Sequence, residues 1–227
     1  MKNVICGIVM VGLIVYGSVV LKGEHYYLIS LAVILTGLTG GFLSYEGKKD
    51  NAAYIICISI FTVIGILSRI VLSPVPQVKP VAAIVILSGV ALGKEAGFVT
   101  GAMSMFLSNF YFMQGAWTPF QMFAMGVIGF TAGALFSGKE VSAGRRVALS
   151  VYGFFAVLLI YGLIVDANTL FFALGDDVTT EGIAGVYLAG LPFDLVFAVT
   201  TFLFLFFLYY PIMKIWLRLE KKYKIVV

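Results

Sequence analysis

Charged residues are scarce in this chain: they make up 11% of its 227 residues, whereas hydrophobic residues make up 61%. A soluble domain contains about 25% charged residues, so this chain has too few of them to cover its surface in water. Because a helix needs about 20 apolar residues to cross the hydrocarbon core of a bilayer, the length allows about six to eight spans. It leaves no room for a sizeable soluble domain.

Histidine and cysteine are rarer still, with one histidine and two cysteines. His25 lies in a loop beside Glu24, and Cys6 and Cys57 lie in apolar stretches without a further Cys or His at metal-ligand spacing. The sequence therefore predicts no metal site, no cofactor and no histidine-based catalytic triad. It also contains no recognisable nucleophile–base pair, so we predict that the protein is not an enzyme.

An ATP-binding loop is missing as well. Such a loop needs Gly, four residues, then Gly-Lys-Ser/Thr, whereas Gly89 and Gly93 are separated by three residues and Glu95 follows Lys94. The chain therefore has no energy source of its own. Its net charge of +4 is better explained by cytoplasmic loops than by nucleic acid, since basic residues collect there in membrane proteins.

Alternating apolar and polar strands of about ten residues, which are typical of a transmembrane barrel, do not occur. Instead, eight apolar segments stand between charged or turn-rich breaks, and each is predicted to be helical because an isolated span must satisfy its own backbone in lipid. The sequence thus predicts an all-α polytopic membrane bundle. The eight segments cover residues 4–21, 26–44, 53–73, 79–93, 95–112, 119–137, 146–166 and 190–213.

The positions of the basic residues predict the topology. If both termini are cytoplasmic, three of the 15 basic residues fall outside, namely Lys22, Arg69 and Lys79. This strong bias is typical of the positive-inside rule and favours an even number of spans. The twelve basic residues on the inner side are Lys2, Lys48, Lys49, Lys94, Lys139, Arg145, Arg146, Lys214, Arg218, Lys221, Lys222 and Lys224.

The outer connections are predicted to be longer than the inner ones. Residues 73–80 and 113–120 are rich in turn and aromatic residues, and residues 166–189 form the longest predicted loop. A long loop in a compact protein is often a lid or a binding loop, but a solvated connector explains the segment equally well.

Small residues recur four apart, a spacing that lets two helices approach closely. The pairs are Gly37/Gly41, Gly89/Gly93, Gly97/Gly101 and Gly129/Gly133, and Ser104 and Ser108 extend the third. Packing within the bundle is the simpler explanation. Docking against a separate membrane subunit is the alternative.

Polar residues within membrane segments are costly and are therefore candidate functional residues. Here they fall near the predicted outer face, where aromatic residues could form the walls of a small-molecule pocket. An interfacial belt of aromatic and snorkelling residues is the alternative. The predicted substrate-binding residues are Arg69, Gln77, Lys79, Asn109, Tyr111, Gln114, Trp117, Thr118, Gln121, Tyr161, Asp166, Asn168 and Asp194.

Two stretches, VKPVAAIVILSGVALGKEAGFVTGAMSMFLSN (78–109) and QGAWTPFQMFAMGVIGFTAG (114–133), carry a family resemblance. They resemble the substrate-binding S components of energy-coupling factor (ECF) vitamin transporters, and the likeness covers roughly residues 52–217. It implies a six-helix membrane core that binds one vitamin at the outer face. It also implies partners, a transmembrane coupling protein and two cytoplasmic ATPases, and a subunit that topples to deliver its ligand inward.

Relative to that family, the chain carries extra sequence at its amino end. The expected organisation is an N-terminal pair of transmembrane helices (1–51), the six-helix core (52–217) and a basic cytoplasmic tail (218–227). The family docks through an Ala-x-x-x-Ala pair, for which Ala53 and Cys57 are the nearest equivalent. Gly97, Gly101, Ser104 and Ser108 are predicted to share that contact with the coupling protein.

The ligand is predicted by overall likeness only. The extra N-terminal helices and the KPVAAIVILSG run resemble S components for cobalamin and related corrinoids most. Pantothenate-type members share a similar W-T-P-x-Q region, and Arg69 or Lys79 could pair with such an anion. A membrane scaffold subunit that binds a partner protein at its outer face is the non-transport alternative.

Overall fold

The computed structural model describes residues 2–19, 28–33, 35–36, 52–138, 141–170 and 179–223. All regular structure in these ranges is helical. Residues 28–33 and 35–36 are helical in the N-terminal region. The remaining helices are α1 (Lys2–Val19), α2 (Ala52–Val71), α3 (Val81–Leu92), α4 (Lys94–Phe112), α5 (Thr118–Phe136), α6 (Ala143–Thr169) and α7 (Thr180–Tyr223).

Four of the described helices, α2, α5, α6 and α7, are long and apolar enough to cross a membrane. Their outward faces carry large aliphatic side chains; on α2, for example, Ile55 is 62% exposed and Ile56 is 57% exposed. Such a face is unfavourable in water and suits lipid. The prediction of an all-α polytopic membrane protein is therefore confirmed.

Helix α3 lies at the centre of the bundle, where all 12 of its residues are buried. It contacts α2, α4, α5 and α7, and a helix that is apolar all round is expected in such a position. Gly93 alone separates α3 from α4, with φ of 94°. Because side chains rarely tolerate this backbone conformation, a glycine is needed at the turn.

Glycines form the contact between α3, α4 and α5. A Cβ atom on Gly97 would lie 2.6 Å from the carbonyl carbon of Gly129 and 2.8 Å from Cα of Gly89. A Cβ atom on Gly101 would lie 2.9 Å from the backbone nitrogen of Gly126. These glycine faces are therefore used for packing within the chain. The predicted Gly37/Gly41 pair lies outside the described residues.

The predicted loop over residues 166–189 is wrong at both ends, because α6 extends to Thr169 and α7 begins at Thr180. Thr179 caps α7: its hydroxyl accepts a hydrogen bond of 3.0 Å from the backbone N–H of Gly182. Glu181 in the first turn complements the helix dipole. Residues 171–178 of the predicted loop lie outside the described residues.

Helices α6 and α7 pack against each other through two matching Gly-x-x-x-Asp sequences. The carboxylate of Asp194 on α7 lies against Gly162 of α6, and the carboxylate of Asp166 on α6 lies against Gly190 of α7. Both helices are irregular near this contact: α6 contains a π-helical stretch at Ala156–Tyr161, and Pro192 lies within α7. Asp194 is therefore well inside a helix, and not near its beginning as the predicted segment 190–213 implied.

Candidate substrate-binding site

Polar side chains from α2, α4 and α5 meet where α2 and α4 end and α5 begins. We call this end of the bundle the Arg69 end. Arg69 belongs to the last turn of α2, Asn109 to the last turn of α4, and Thr118 is the first residue of α5. The opposite end carries Lys94 and the beginning of α6.

Asn109 is the centre of a hydrogen-bond network at the Arg69 end. Its Oδ1 accepts from Nη1 of Arg69 at 3.2 Å, while its Nδ2 donates to Oε1 of Gln121 at 2.9 Å and to Oγ1 of Thr118 at 3.1 Å. Thr118 in turn donates to Oε1 of Gln114 at 2.9 Å, and Gln114 Nε2 donates to a backbone carbonyl. The network thus ties α2, α4, α5 and the connection before α5 together.

Arg69 is buried without an acidic partner among the residues that the structure describes. Its side chain is 4% exposed, and Nη1 donates to the hydroxyl of Ser108 and to Asn109, both of which are uncharged. Its Nε has no hydrogen-bond partner. Burying a cation without a counter-charge costs free energy. An anionic group bound beside this guanidinium would offset that cost.

Lys79 brings a second cation to the same place. Its Nζ lies 5.7 Å from the ring centre of Phe112, and Cζ of Arg69 lies 4.8 Å from the same centre. Burial lowers the pKa of Lys79 below its usual value, and the positive charge of Arg69 lowers it further. The aromatic ring offsets part of the cost of holding two cations together.

Tyr161 connects this cluster to the carboxylates of α6 and α7. Its ring packs edge-on against Phe197 at a centroid distance of 5.2 Å, and its phenol lies near Arg69, Asp194 and Asp166. The predicted residues Tyr161, Asp166 and Asp194 are thus in one neighbourhood with Arg69.

Four other predicted residues do not join the network. Tyr111 is 60% exposed and Trp117 is 40% exposed, with its indole packed over Gly115. Gln77 is half-buried in the connection before α3. Asn168 is buried on α6 with its Oδ1 unpaired. Within the described residues the predicted set therefore forms a hydrogen-bonded core with separate aromatic and polar residues around it.

Backbone strain is concentrated at the same end. Among the described residues, the two non-glycine residues with positive φ are Gln77 at 57° and Met113 at 72°. Gln77 lies in the connection from α2 to α3 and Met113 in the connection from α4 to α5, and such conformations cost about 1–3 kcal/mol. Strained residues of this kind collect at binding sites, where the surrounding structure holds them in place.

Two residues of the network were not among the predicted binding residues. Ser108 was assigned to docking but accepts a hydrogen bond from Arg69, and Phe112 carries both cations over its ring. Phe112 follows Asn109 by three positions, a spacing that places two residues on one helix face. From that spacing, Phe112 could have been predicted as a residue of the site.

The predicted docking residues on α4 are occupied by the chain itself. Gly97, Gly101, Ser104 and Ser108 are all buried. Gly97 and Gly101 face α5, and the hydroxyl of Ser104 donates to the backbone carbonyl of Thr62 on α2 at 3.4 Å. On α2, Cys57 is buried and Ala53 is half-buried.

These features define a polytopic membrane protein with a buried polar network at one end of its helix bundle. A family model described as "ECF-type riboflavin transporter, S component" matches residues 47–214. The chain belongs to this family. The resemblance to ECF S components is thereby confirmed, and the family is that of a transporter subunit. The family named is the riboflavin one, so the corrinoid expectation is not supported. Neither the curated proteins nor the solved structures contain a match to this chain.

Proposed function

We propose that this protein is the substrate-capture subunit of an ECF-type importer and that it binds riboflavin or a closely related flavin at the Arg69 end. The match to the riboflavin S-component family carries this proposal, because its residues 47–214 include all of the elements that form the site. The coordinates support a binding site at this end through the buried network around Asn109.

The chemistry of this end suits a flat, polar-edged ring. Phe112 and Trp117 supply aromatic surface, and the half-buried Gln121 supplies an amide group. A pocket for a small molecule combines mainly apolar walls with a few fixed polar groups. The flavin ring system, with donors and acceptors along one edge, requires such a combination.

The remaining expectations of the family form part of the same proposal. Residues 52–217 would be the six-helix binding core, residues 1–51 an additional transmembrane pair and residues 218–227 a basic cytoplasmic tail. The subunit would work with a transmembrane coupling protein and two ATPases. Ala53 is the predicted docking residue that keeps an accessible side chain, so we place the coupling protein's contact at the beginning of α2.

The test is a ligand-binding comparison on the detergent-purified protein. Riboflavin is titrated while quenching of its fluorescence is followed, and pantothenate and hydroxocobalamin are added as competitors. We expect saturable quenching that neither competitor reverses. Mass spectrometry of small molecules released from the unheated protein provides an independent readout. Saturable binding of hydroxocobalamin, with no response to riboflavin, would overturn the flavin assignment and restore the corrinoid one.

A further inference from the structure

The charge of the site is unbalanced at the Arg69 end. Arg69 is only 4% exposed. Lys79, in the connection before α3, lies against the ring of Phe112, which Arg69 also contacts. In the part of the chain that the structure describes, no carboxylate forms an ion pair with either residue. Two neighbouring cations therefore lack a counter-charge from any described residue.

Two described acids, Asp166 and Asp194, lie in a different contact. The carboxylates of Asp166 and Asp194 lie against Gly190 and Gly162, where α6 and α7 make contact. Tyr161 lies near both carboxylates and near Arg69. An internal ion pair with Arg69 would have been possible with acids on this side of the bundle, but neither acid provides it.

A purely structural role does not explain a charged group here. The hydrogen bonds that join α2 to α4 end on Ser108 and Asn109, which are neutral acceptors that a neutral donor could satisfy. The guanidinium instead retains an unpartnered Nε. Together with a neighbouring Nη, the Nε–H of an arginine forms the planar fork that binds two oxygens of a carboxylate or phosphate.

We propose that the ligand of this site carries a negatively charged group, a carboxylate or a phosphate, which pairs with Arg69 and Lys79. This inference rests on the proposed function for the position of the site and goes beyond it in assigning a charge to the ligand. Riboflavin itself is neutral. Within the flavin class, the inference therefore selects a phosphorylated form over the free vitamin.

The experiment compares two ligands that differ by one phosphate. Riboflavin and riboflavin 5′-phosphate are titrated separately onto the detergent-purified protein at one ionic strength. We expect the phosphate ester to bind about tenfold more tightly or better, as one new charge-assisted contact predicts. The same advantage is measured in Arg69→Gln and Lys79→Gln, where it should shrink because each substitution removes one of the two cations.

A matched control lies at the opposite end of the bundle. Lys94 also holds its Nζ 5.7 Å from an aromatic ring centre, that of Phe130, and pairs with Glu95 at 3.9 Å. Lys94→Gln should leave the phosphate advantage unchanged. If Arg69→Gln fails to fold, the comparison of Lys79→Gln with Lys94→Gln decides the question alone.

The outcomes separate this inference from the proposed function. If riboflavin binds and its phosphate ester binds equally or more weakly, the inference is overturned and the proposed function stands. If neither flavin binds, the flavin assignment fails, and the charge of the molecule retained through purification decides: an organic carboxylate or phosphate supports the inference, and a neutral compound overturns it. A protein that retains and binds no small molecule overturns both.

Discussion

Asn109 has both ends of its side-chain amide engaged and is 1% exposed. Replacing it with alanine would leave partners on α2 and α5 buried without their hydrogen bonds. Such a loss costs about 1–3 kcal/mol. We therefore expect Asn109→Ala to lower the thermal unfolding midpoint of the protein in detergent, measured by a tryptophan- or dye-based melt.

Tyr111 on the same helix provides the comparison for this prediction. It is 60% exposed, so Tyr111→Phe should leave the midpoint almost unchanged. Equal midpoints for the two variants would show that the network contributes little to stability.

Trp117 differs from Asn109 because its ring is 40% exposed and packs over Gly115 at the rim of the site. Trp117→Ala should weaken riboflavin binding by about tenfold through loss of an aromatic wall, with little change in the unfolding midpoint. Phe110→Ala serves as the control, since Phe110 is an aromatic residue of the same end that is 69% exposed and outside the network. Equal losses of affinity in the two variants would place the ligand away from Trp117.

At the level of the helices, the close packing at Gly97 predicts that a larger residue there destabilises the protein. In Gly97→Ala the new methyl group would meet backbone atoms of Gly129 and Gly89, at 2.6 and 2.8 Å, and backbone cannot move aside as a side chain can. Overpacking of this kind costs about 1–3 kcal/mol. We expect a lower unfolding midpoint, or loss of the folded protein from detergent extracts.

Gly185→Ala is the matched substitution, because a Cβ at Gly185 of α7 would meet nothing within 4 Å. There the exchange should be neutral or stabilise the helix by up to about 1 kcal/mol, since alanine is the better helix former. If Gly97→Ala were tolerated as well as Gly185→Ala, the approach of α3, α4 and α5 would be looser than the structure shows.

Hydropathy predicts the helices of this protein well and their ends less well. Helix α3 could be located from its unbroken apolar run, and the break at Gly93 from a glycine followed by charge. The beginning of α7 could not, because residues 180–189 mix Gly, Thr and Glu with apolar residues and read as a loop. The cap at Thr179 and packing against α6 outweigh that weak propensity.

For the molecule as a whole, the sequence predicted that polar residues collect at one end, and the structure brings Arg69, Asn109 and Gln121 together there. It could not predict the roles of Ser108 and Phe112. Which side chains meet depends on the rotation of each helix about its axis, and small residues on two faces of α4 left that rotation open. The sequence also gave no sign that Asp166 and Asp194 would lie against glycines.

The charge distribution predicts the orientation of the bundle in the membrane, and this prediction can be measured directly. Arg145 and Arg146 at the beginning of α6 belong with Lys94 to the end rich in basic residues, which the positive-inside rule assigns to the cytoplasm. After Cys6 and Cys57 are replaced by alanine, Val75→Cys in the connection before α3 should react with a membrane-impermeant maleimide in intact cells.

Ala143→Cys, at the beginning of α6, is the paired variant and should react only after the cells are permeabilised. Both positions are exposed in the structure, so access to the reagent depends on the side of the membrane. The reverse labelling pattern would place the Arg69 end inside the cell, where a site for capturing external vitamin has no use. The expected pattern, in which Val75→Cys alone is labelled in intact cells, would place the Arg69 end on the outer side of the membrane. Arg69 and Lys79 would then lie on the side from which an external ligand arrives.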